Sequence, residues 1–202
     1  FKNIKGKVNV DEYIWENPSS SIEGVEHLRE KIKDYDAMIA VGSGTVSDSI
    51  KYATFLEKKT YSVFATTPMN AYTTGTASIS FNGVKKSLVA HYAQGVFFDL
   101  EVLSNCPKRL TAAAFADVIC RTTAQVDWLM SHKLLETNYQ STPYSLLSLY
   151  EGDMIQSASS IAEGDINSLA LLTRISAIMG LGTSFTQTTH AVSYTHLTLP
   201  TT

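Results

Sequence analysis

The sequence has few cysteines, no long apolar run and no excess of positive charge. Its two cysteines, Cys106 and Cys120, form no CxxC motif, so we expect packing positions in a reducing compartment. No apolar segment approaches the roughly 20 residues of a membrane-spanning helix, and residues 1–10 lack the pattern of a signal peptide. The net charge of -3 provides none of the basic surface that nucleic-acid binding requires. These absences predict a cytoplasmic globular protein without a nucleic-acid or membrane partner.

The two ends of the sequence differ from the rest. The chain begins at Phe1 without methionine, and residues 192–202 resemble one reading frame of a transposase adapter used to prepare sequencing libraries. We therefore expect residues 192–202 to be a cloning or assembly scar and exclude them from fold reasoning. His196 lies in this segment, so its spacing from His190 is not taken as a metal pair.

The first half of the sequence alternates short apolar runs with helix-like segments. Residues 22–34 have apolar side chains at helical spacing, and residues 37–41 form a continuous apolar run typical of a buried parallel strand. A helix over 48–58 and a second parallel strand over 60–66 complete a βαβ unit. Further on, Asn82-Gly83 separates two strand-like pieces, 78–81 and 86–91, and predicts a hairpin, with a last strand at 95–99.

The second half has the apolar spacing of helices and few turn signals. Pro107 fits a first helical turn, residues 110–135 predict one long or broken helix, and further helices are expected over 145–162 and 166–179. The change near residue 104 predicts a boundary between a parallel α/β domain, residues 1–104, and an all-α domain, residues 105–191.

The turn between the first parallel strand and its helix is the strongest functional signal. Gly42-Ser43-Gly44 would place bare backbone amides at a helix N-terminus, where a phosphate can bind. A purely structural tight turn uses the same glycines, and Asp48 could simply complement the helix dipole. The turn alone therefore leaves a nucleotide site and a structural turn open.

Three segments in this order resemble the iron-containing alcohol dehydrogenase superfamily, and within it sn-glycerol-1-phosphate dehydrogenases most closely. These segments are Gly42-Ser-Gly-Thr-Val-Ser-Asp48-Ser-Ile-Lys51, then Phe64-Ala-Thr-Thr-Pro-Met-Asn70, and Ala114-Phe-Ala-Asp117. The resemblance covers roughly residues 20–191 and implies a dehydroquinate synthase-like fold, Rossmann-like in its first domain and incomplete at both ends.

The resemblance also implies a set of site residues. It implies NAD or NADP binding by Gly42, Ser43, Gly44, Thr45, Asp48, Thr66, Thr67 and Thr74. It implies substrate contact by Asn70, and one divalent metal ion, Zn, Fe or Ni, on Asp117 and His190. The family's further histidine ligand would fall in 192–202, so this fragment itself is expected to be inactive. Asn70 stands where the family usually has Asp, and it brings no negative charge to the substrate.

The function implied by the resemblance is a metal-dependent, NAD(P)-linked oxidation and reduction. The expected substrate is a small polyol or polyol phosphate, with dihydroxyacetone phosphate and sn-glycerol 1-phosphate the favoured pair. Glycerol dehydrogenase and a 3-dehydroquinate synthase-like enzyme are alternatives, although residues 68–80 contain none of the basic side chains that the latter would need. A non-catalytic nucleotide-binding module is the alternative of another class, and a homo-oligomer remains open.

Overall fold

The structure is a computed structural model that describes residues 10–142, 145 and 148–185. Its first part contains helices α1 and α2 and five strands: α1 Ile22–Ile32, β1 Ala37–Gly42, α2 Gly44–Leu56, β2 Thr60–Ala65, β3 Thr76–Phe81, β4 Val84–Val89 and β5 Val96–Phe98. A short 3-10 turn, Asn70–Tyr72, follows β2. The later helices are α3 Leu100–Ser104, α4 Lys108–Ile119, α5 Arg121–Leu135, α6 Glu151–Gln156, α7 Ala158–Glu163 and α8 Ile166–Phe185.

The predicted parallel sheet is confirmed. β2 lies between β1 and β5 and pairs in parallel with both, with Gly42 opposite Ala65 and Ala65 opposite Phe98. The carboxyl ends of the three strands therefore lie at one edge of the sheet, which is where ligands bind in open parallel sheets.

The predicted hairpin is also confirmed, although β3 begins two residues earlier than expected and β4 lies two residues closer to the turn. β3 and β4 pair antiparallel from Thr76 opposite Val89 to Phe81 opposite Val84. Asn82 has a φ of 49° and Gly83 a φ of 80°. Positive φ at both central residues is the geometry that favours Asn-Gly in a two-residue hairpin turn.

The helix boundaries show where local patterns were insufficient. Helix α2 begins at Gly44, four residues before the predicted start, because Ser43 takes the extended N-cap conformation. Residues 110–135, predicted as one long or broken helix, take the broken form, with two helices that meet at Cys120. Pro107 is the N-cap of α4 rather than part of its first turn. The described part of the predicted 145–162 helix breaks at Ser157, and α8 continues past Met179 to Phe185.

Two apolar clusters form the core of the described residues. The first packs α1 and α2 on the sheet and hairpin, with Val25, Ile50, Val63 and Ile79 among its buried members. The second joins α4, α6, α7 and α8 around buried side chains of Ala114, Met154, Ile161, Leu172 and Ile175. Met69 packs against both clusters. The division into two domains near residue 104 stays a prediction.

Both cysteines are free and buried, as expected from their spacing. Within the described ranges, no helix has the length and apolar character needed to cross a membrane.

Candidate functional site

The turn after β1 exposes the N-terminus of a long helix. The first helical hydrogen bond of α2 runs from the Ser47 amide to the Ser43 carbonyl, at 3.0 Å, so the amides of residues 44–46 have no partner within the helix. The Ser43 side chain makes no capping hydrogen bond to them. A Cβ at Gly42 would lie 3.0 Å from the Val46 side chain, so glycine allows the first turn of α2 to pack closely against the end of β1. The free amides are positioned to hold an anion.

A cavity of about 540 Å³ lies beside this helix N-terminus. One wall comes from Ser43, Thr66 and Thr67, which follow the carboxyl ends of β1 and β2, and the other comes from α3 and the start of α4. The structure thus brings three of the predicted cofactor residues to one cavity, whose volume falls within the range of small-molecule sites. The free amides and this cavity fit a dinucleotide.

Tyr72 stabilises the turn after β1, and no sequence pattern had indicated this role. Its side chain is fully buried, and its hydroxyl donates to the Gly42 carbonyl at 3.2 Å and lies 2.5 Å from the Thr67 Oγ1. Burial raises the pKa of Tyr72 to about 12, so the hydroxyl keeps its proton at neutral pH. Tyr72 therefore fixes the ends of β1 and β2 relative to each other. A tyrosine within an irregular Thr- and Ala-rich segment provides no periodic signal that could have indicated this role.

Asp48, predicted to bind the cofactor, lies against the hairpin and Lys51. Its Oδ2 accepts from the Ser78 amide at 3.1 Å, and its Oδ1 lies 3.3 Å from the Lys51 Nζ. Burial raises the pKa of Asp48 and lowers the pKa of Lys51, and each effect is opposed by the charge of the partner. The predicted cofactor role of Asp48 stays a prediction.

Thr74, also predicted to bind the cofactor, belongs to the same buried network. Lys51 Nζ donates to the Thr74 Oγ1 at 3.0 Å and to the backbone carbonyls of Ala71 at 2.6 Å and Thr76 at 2.9 Å. This ammonium therefore ties α2 to the loop that carries Asn70. The described contacts of Thr74 are those of a loop-stabilising residue, and its cofactor role also stays a prediction.

Asn70 and Asp117, predicted separately as substrate and metal residues, are in direct contact. The Asn70 Nδ2 donates to the Asp117 Oδ2 at 2.6 Å, and the Arg121 Nη2 lies 3.6 Å from the Asp117 Oδ1. Burial raises the pKa of Asp117, while Arg121 and the hydrogen bond from Asn70 oppose the shift. The structure thus places a carboxylate, an amide and a guanidinium together where the loop after β2 meets α4 and α5.

Helix α8 holds the Asn70 loop in place. Thr73 Oγ1 donates to the Ala177 carbonyl at 2.9 Å, and the Gly75 amide donates to the Ser184 Oγ at 3.0 Å. A Cβ at Gly180 would lie 2.6 Å from the Asn70 carbonyl oxygen and closer still to the Thr73 Oγ1. Glycine at position 180 therefore allows the helix backbone to contact the loop directly.

The described residues by themselves do not make a metal site. His190, the second predicted ligand, lies outside them, and within the described ranges no group of three or more His, Cys, Asp or Glu side chains could hold a metal ion. Asp117 supplies one carboxylate, and the nearby Arg121 guanidinium opposes a cation beside its Oδ1.

Comparison with known proteins identifies relatives of the chain. The model of the family described as iron-containing alcohol dehydrogenase matches residues 2–107. A curated glycerol-1-phosphate dehydrogenase (NAD(P)+) of Geobacillus thermodenitrificans is 34% identical over 120 residues, which cover 59% of this chain and 30% of that protein. A protein of the same name from Pyrococcus abyssi is 35% identical over 134 residues, which cover 65% of this chain and 38% of that protein.

A solved structure shows the fold. The crystal structure of a probable glycerol dehydrogenase from Sinorhizobium meliloti matches with a TM-score of 0.73 at 14% identity, covering 91% of this chain and 56% of that one. The fold that the sequence resemblance implied is confirmed by this match. The chain spans between 30% and 38% of the length of the two curated relatives. A dinucleotide and a metal ion are consistent with this family.

Proposed function

This chain belongs to the iron-containing alcohol dehydrogenase family, and on that premise we propose that it is part of an NAD(P)-linked oxidoreductase. The favoured reaction interconverts dihydroxyacetone phosphate and sn-glycerol 1-phosphate, because the curated relatives have the name of that activity. Since the chain spans well under two thirds of those relatives, the activity and substrate of the whole protein belong to the proposal.

The observation that carries the proposal is the cavity beside the N-terminus of α2. In this proposal the amides of residues 44–46 hold the pyrophosphate, and Thr66 and Thr67 lie beside the nicotinamide. A bound dinucleotide would supply the hydride acceptor or donor. The Asn70 carboxamide, held by Asp117 at 2.6 Å, would then be positioned to hydrogen-bond a substrate hydroxyl or carbonyl.

A polyol without phosphate is the second candidate substrate. The segment 68–80 contains no basic residue, and Lys51 Nζ is within 3.3 Å of four oxygen atoms. An ammonium surrounded in this way is not free to bind a substrate phosphate. An assay that compares oxidation of sn-glycerol 1-phosphate with that of glycerol by the whole protein of which this chain is part separates the two candidates.

A metal ion and the oligomeric state belong to the same proposed function. We propose that one divalent ion, Zn, Fe or Ni, binds Asp117 and His190 in the whole protein, and size-exclusion chromatography distinguishes a monomer from a homo-oligomer. Metal content of the whole purified protein, compared with that of its Asp117→Ala variant, tests the ion independently of any turnover.

A charge placed at the helix N-terminus tests the dinucleotide site. Thr45→Glu puts a carboxylate in the first turn of α2, where it should repel the pyrophosphate while favouring the helix dipole. We expect the affinity for NADH, measured by isothermal titration calorimetry, to fall roughly tenfold or more without loss of thermal stability. Asn167→Glu is the matched control, because it adds the same charge to the first turn of α8, outside the cavity wall.

Two outcomes would contradict this proposal. A wild-type chain that binds neither NADH nor NADPH would overturn the dinucleotide function. Equal NADH affinity in Thr45→Glu and the wild type would show that the pyrophosphate binds elsewhere.

A further inference from the structure

Among the described residues, the buried lysine and arginine side chains are Lys51 and Arg121, and they differ in their partners. The Lys51 Nζ has four oxygen atoms within 3.3 Å. The Arg121 Nε has no partner within the described ranges, and its Nη2 is 3.6 Å from the Asp117 Oδ1, which is too long for a hydrogen bond. A buried guanidinium with unused donors is unfavourable, so these donors indicate a ligand.

The unused donors of Arg121 share one edge of its guanidinium. The Nε and Nη2 hydrogens point in the same direction, and this edge can hold a phosphate or a carboxylate through two parallel hydrogen bonds. Because Nη2 lies beside the Asp117 carboxylate, the edge lies on that side of Arg121. It is therefore suited to an anionic group that binds next to Asp117.

This position adjoins the proposed substrate site. Asn70 donates to the Oδ2 of Asp117 at 2.6 Å, and Arg121 lies beside the Oδ1 of the same carboxylate. An amide and a guanidinium at the two oxygens of one carboxylate are close enough to contact a three-carbon compound together. A substrate whose reacting oxygen is held by Asn70 can therefore place its phosphate at Arg121.

A second cavity also touches Arg121 but is too small for a phosphate. Its volume is about 30 Å³, which corresponds to one water molecule, and Glu151 on its wall would repel an anion. A phosphate at Arg121 is therefore expected beside Asp117 and Asn70 rather than in this cavity.

The other charges near the proposed site do not serve a phosphate. Lys51 is surrounded by its own oxygen partners, and the segment 68–80 has no basic residue. Glu101 is the one charged side chain on the described wall of the cavity beside α2. Arg121 is the buried cation that remains for a phosphate among the described residues.

We propose that Arg121 binds the phosphate of the substrate and thereby selects a polyol phosphate over a free polyol. This inference rests on the proposed function, because it requires a substrate at Asn70. A phosphate would supply the acceptors that Nε and Nη2 lack, and a free polyol would leave this buried charge unpaired. A site built to hydrogen-bond one group disfavours an analogue without that group.

The test measures substrate preference in the whole protein of which this chain is part. The preference is the ratio of kcat/KM for sn-glycerol 1-phosphate to kcat/KM for glycerol. We expect this ratio to fall roughly tenfold or more in Arg121→Met, because charged hydrogen bonds to the phosphate are lost. Arg121→Lys keeps the charge without the paired donors and should lie between Arg121→Met and the wild type. Arg174→Met, which changes an exposed arginine of α8, is the control and should leave the ratio unchanged.

A binding experiment tests the same contact without turnover. Inorganic phosphate is titrated by isothermal titration calorimetry with NAD present, so that the dinucleotide occupies the amides at the start of α2. We expect the affinity for phosphate to be lower in Arg121→Met than in the wild type by a similar factor of roughly ten or more.

The outcomes separate phosphate binding from the function on which it rests. A wild type that oxidises glycerol but not sn-glycerol 1-phosphate, or an Arg121→Met variant with the same ratio and phosphate affinity as the wild type, overturns the role of Arg121 and leaves the oxidoreductase function intact. A wild type that oxidises neither compound overturns the proposed function itself.

Discussion

Two acid-base pairs, one in each half of the molecule, have similar spacing and similar burial but different surroundings. Asp48 and Lys51 lie three residues apart on α2, with side-chain exposures of 13% and 0%, and Asp117 and Arg121 are four apart where α4 meets α5, with exposures of 16% and 9%. The Lys51 ammonium has four oxygen atoms within 3.3 Å. The Arg121 Nε is buried without a partner among the described residues, and its Nη2 is 3.6 Å from Asp117.

The difference indicates what each pair does. A buried charge is tolerated when hydrogen bonds replace its lost hydration, as they do for Lys51. This pair therefore stabilises the loop that follows β2. The Asp117 pair is incompletely satisfied and touches Asn70, so its groups remain available to a ligand. Residues of identical charge and near-identical spacing thus have a structural role in one half of the chain and a candidate chemical role in the other.

The largest expected effect is the loss of the Lys51 ammonium. Lys51→Met should lower the free energy of unfolding by about 3–5 kcal/mol, because it leaves the Asp48 carboxylate without its cation and removes the lysine donor from three further oxygens. Urea denaturation followed by circular dichroism measures this change. Lys33→Met is the control: it breaks an exposed ion pair to Glu30 of 2.6 Å and should have no measurable effect. If Lys51→Met were as stable as Lys33→Met, Lys51 would not stabilise the loop that follows β2.

A smaller effect is expected where α8 contacts the Asn70 loop. Gly180→Ala should lower the free energy of unfolding by roughly 1–2 kcal/mol, because the new methyl group would collide with Thr73 and with the Asn70 carbonyl. The gain of about 1 kcal/mol in helix propensity does not offset this collision. Gly152→Ala, in α6, has nothing within 4 Å of the added Cβ and should instead stabilise the chain. Thermal denaturation of the two variants measures this difference. A change in stability of the same sign in both would contradict the direct contact between α8 and the Asn70 loop.

The smallest effect is expected at Arg121. Arg121→Met should change the free energy of unfolding by about 1 kcal/mol or less. The loss of the 3.6 Å contact with Asp117 is offset by removing a buried guanidinium whose Nε has no partner among the described residues, and the Asn70 to Asp117 hydrogen bond stays in place. The same urea experiment as for Lys51 applies. If Arg121→Met lowered the free energy of unfolding as much as Lys51→Met, the two acid-base pairs would have equivalent structural roles.

Local patterns predicted much of the fold. The apolar run before Gly42 predicted a buried parallel strand, Asn82-Gly83 predicted the hairpin, and the spacing of Val25, Leu28 and Ile32 predicted α1. The patterns failed at helix ends. Gly44 lies in α2 before its predicted start, and Gly180 lies in α8 just past its predicted end. Both positions are helical because the surrounding packing accepts or requires a residue without Cβ.

The candidate site could be predicted only in part. Ser43, Thr66 and Thr67 follow the ends of adjacent parallel strands, so their meeting at one cavity follows from the βαβ pattern. Glu101 and Tyr72 had no such signal, because α3 is short and the loop after β2 has no periodicity. The assignments of Asp48, Thr74 and His190 stay predictions, the first two with contacts inside a buried network and the third outside the described residues.

The sequence by itself determined the elements whose cause is local: the glycine turn after β1, the hairpin, and the separation of a strand-containing half from a helical half. Steric and hydrogen-bonding preferences within a few residues are sufficient for these. Only the tertiary structure decided that Asn70 and Asp117, 47 positions apart, form a hydrogen bond of 2.6 Å. It also decided that the Lys51 ammonium has a full set of hydrogen-bond partners while the Arg121 Nε has none among the described residues. In the same way it placed Glu101 at the cavity. Such contacts depend on how distant segments pack, and no local preference specifies that.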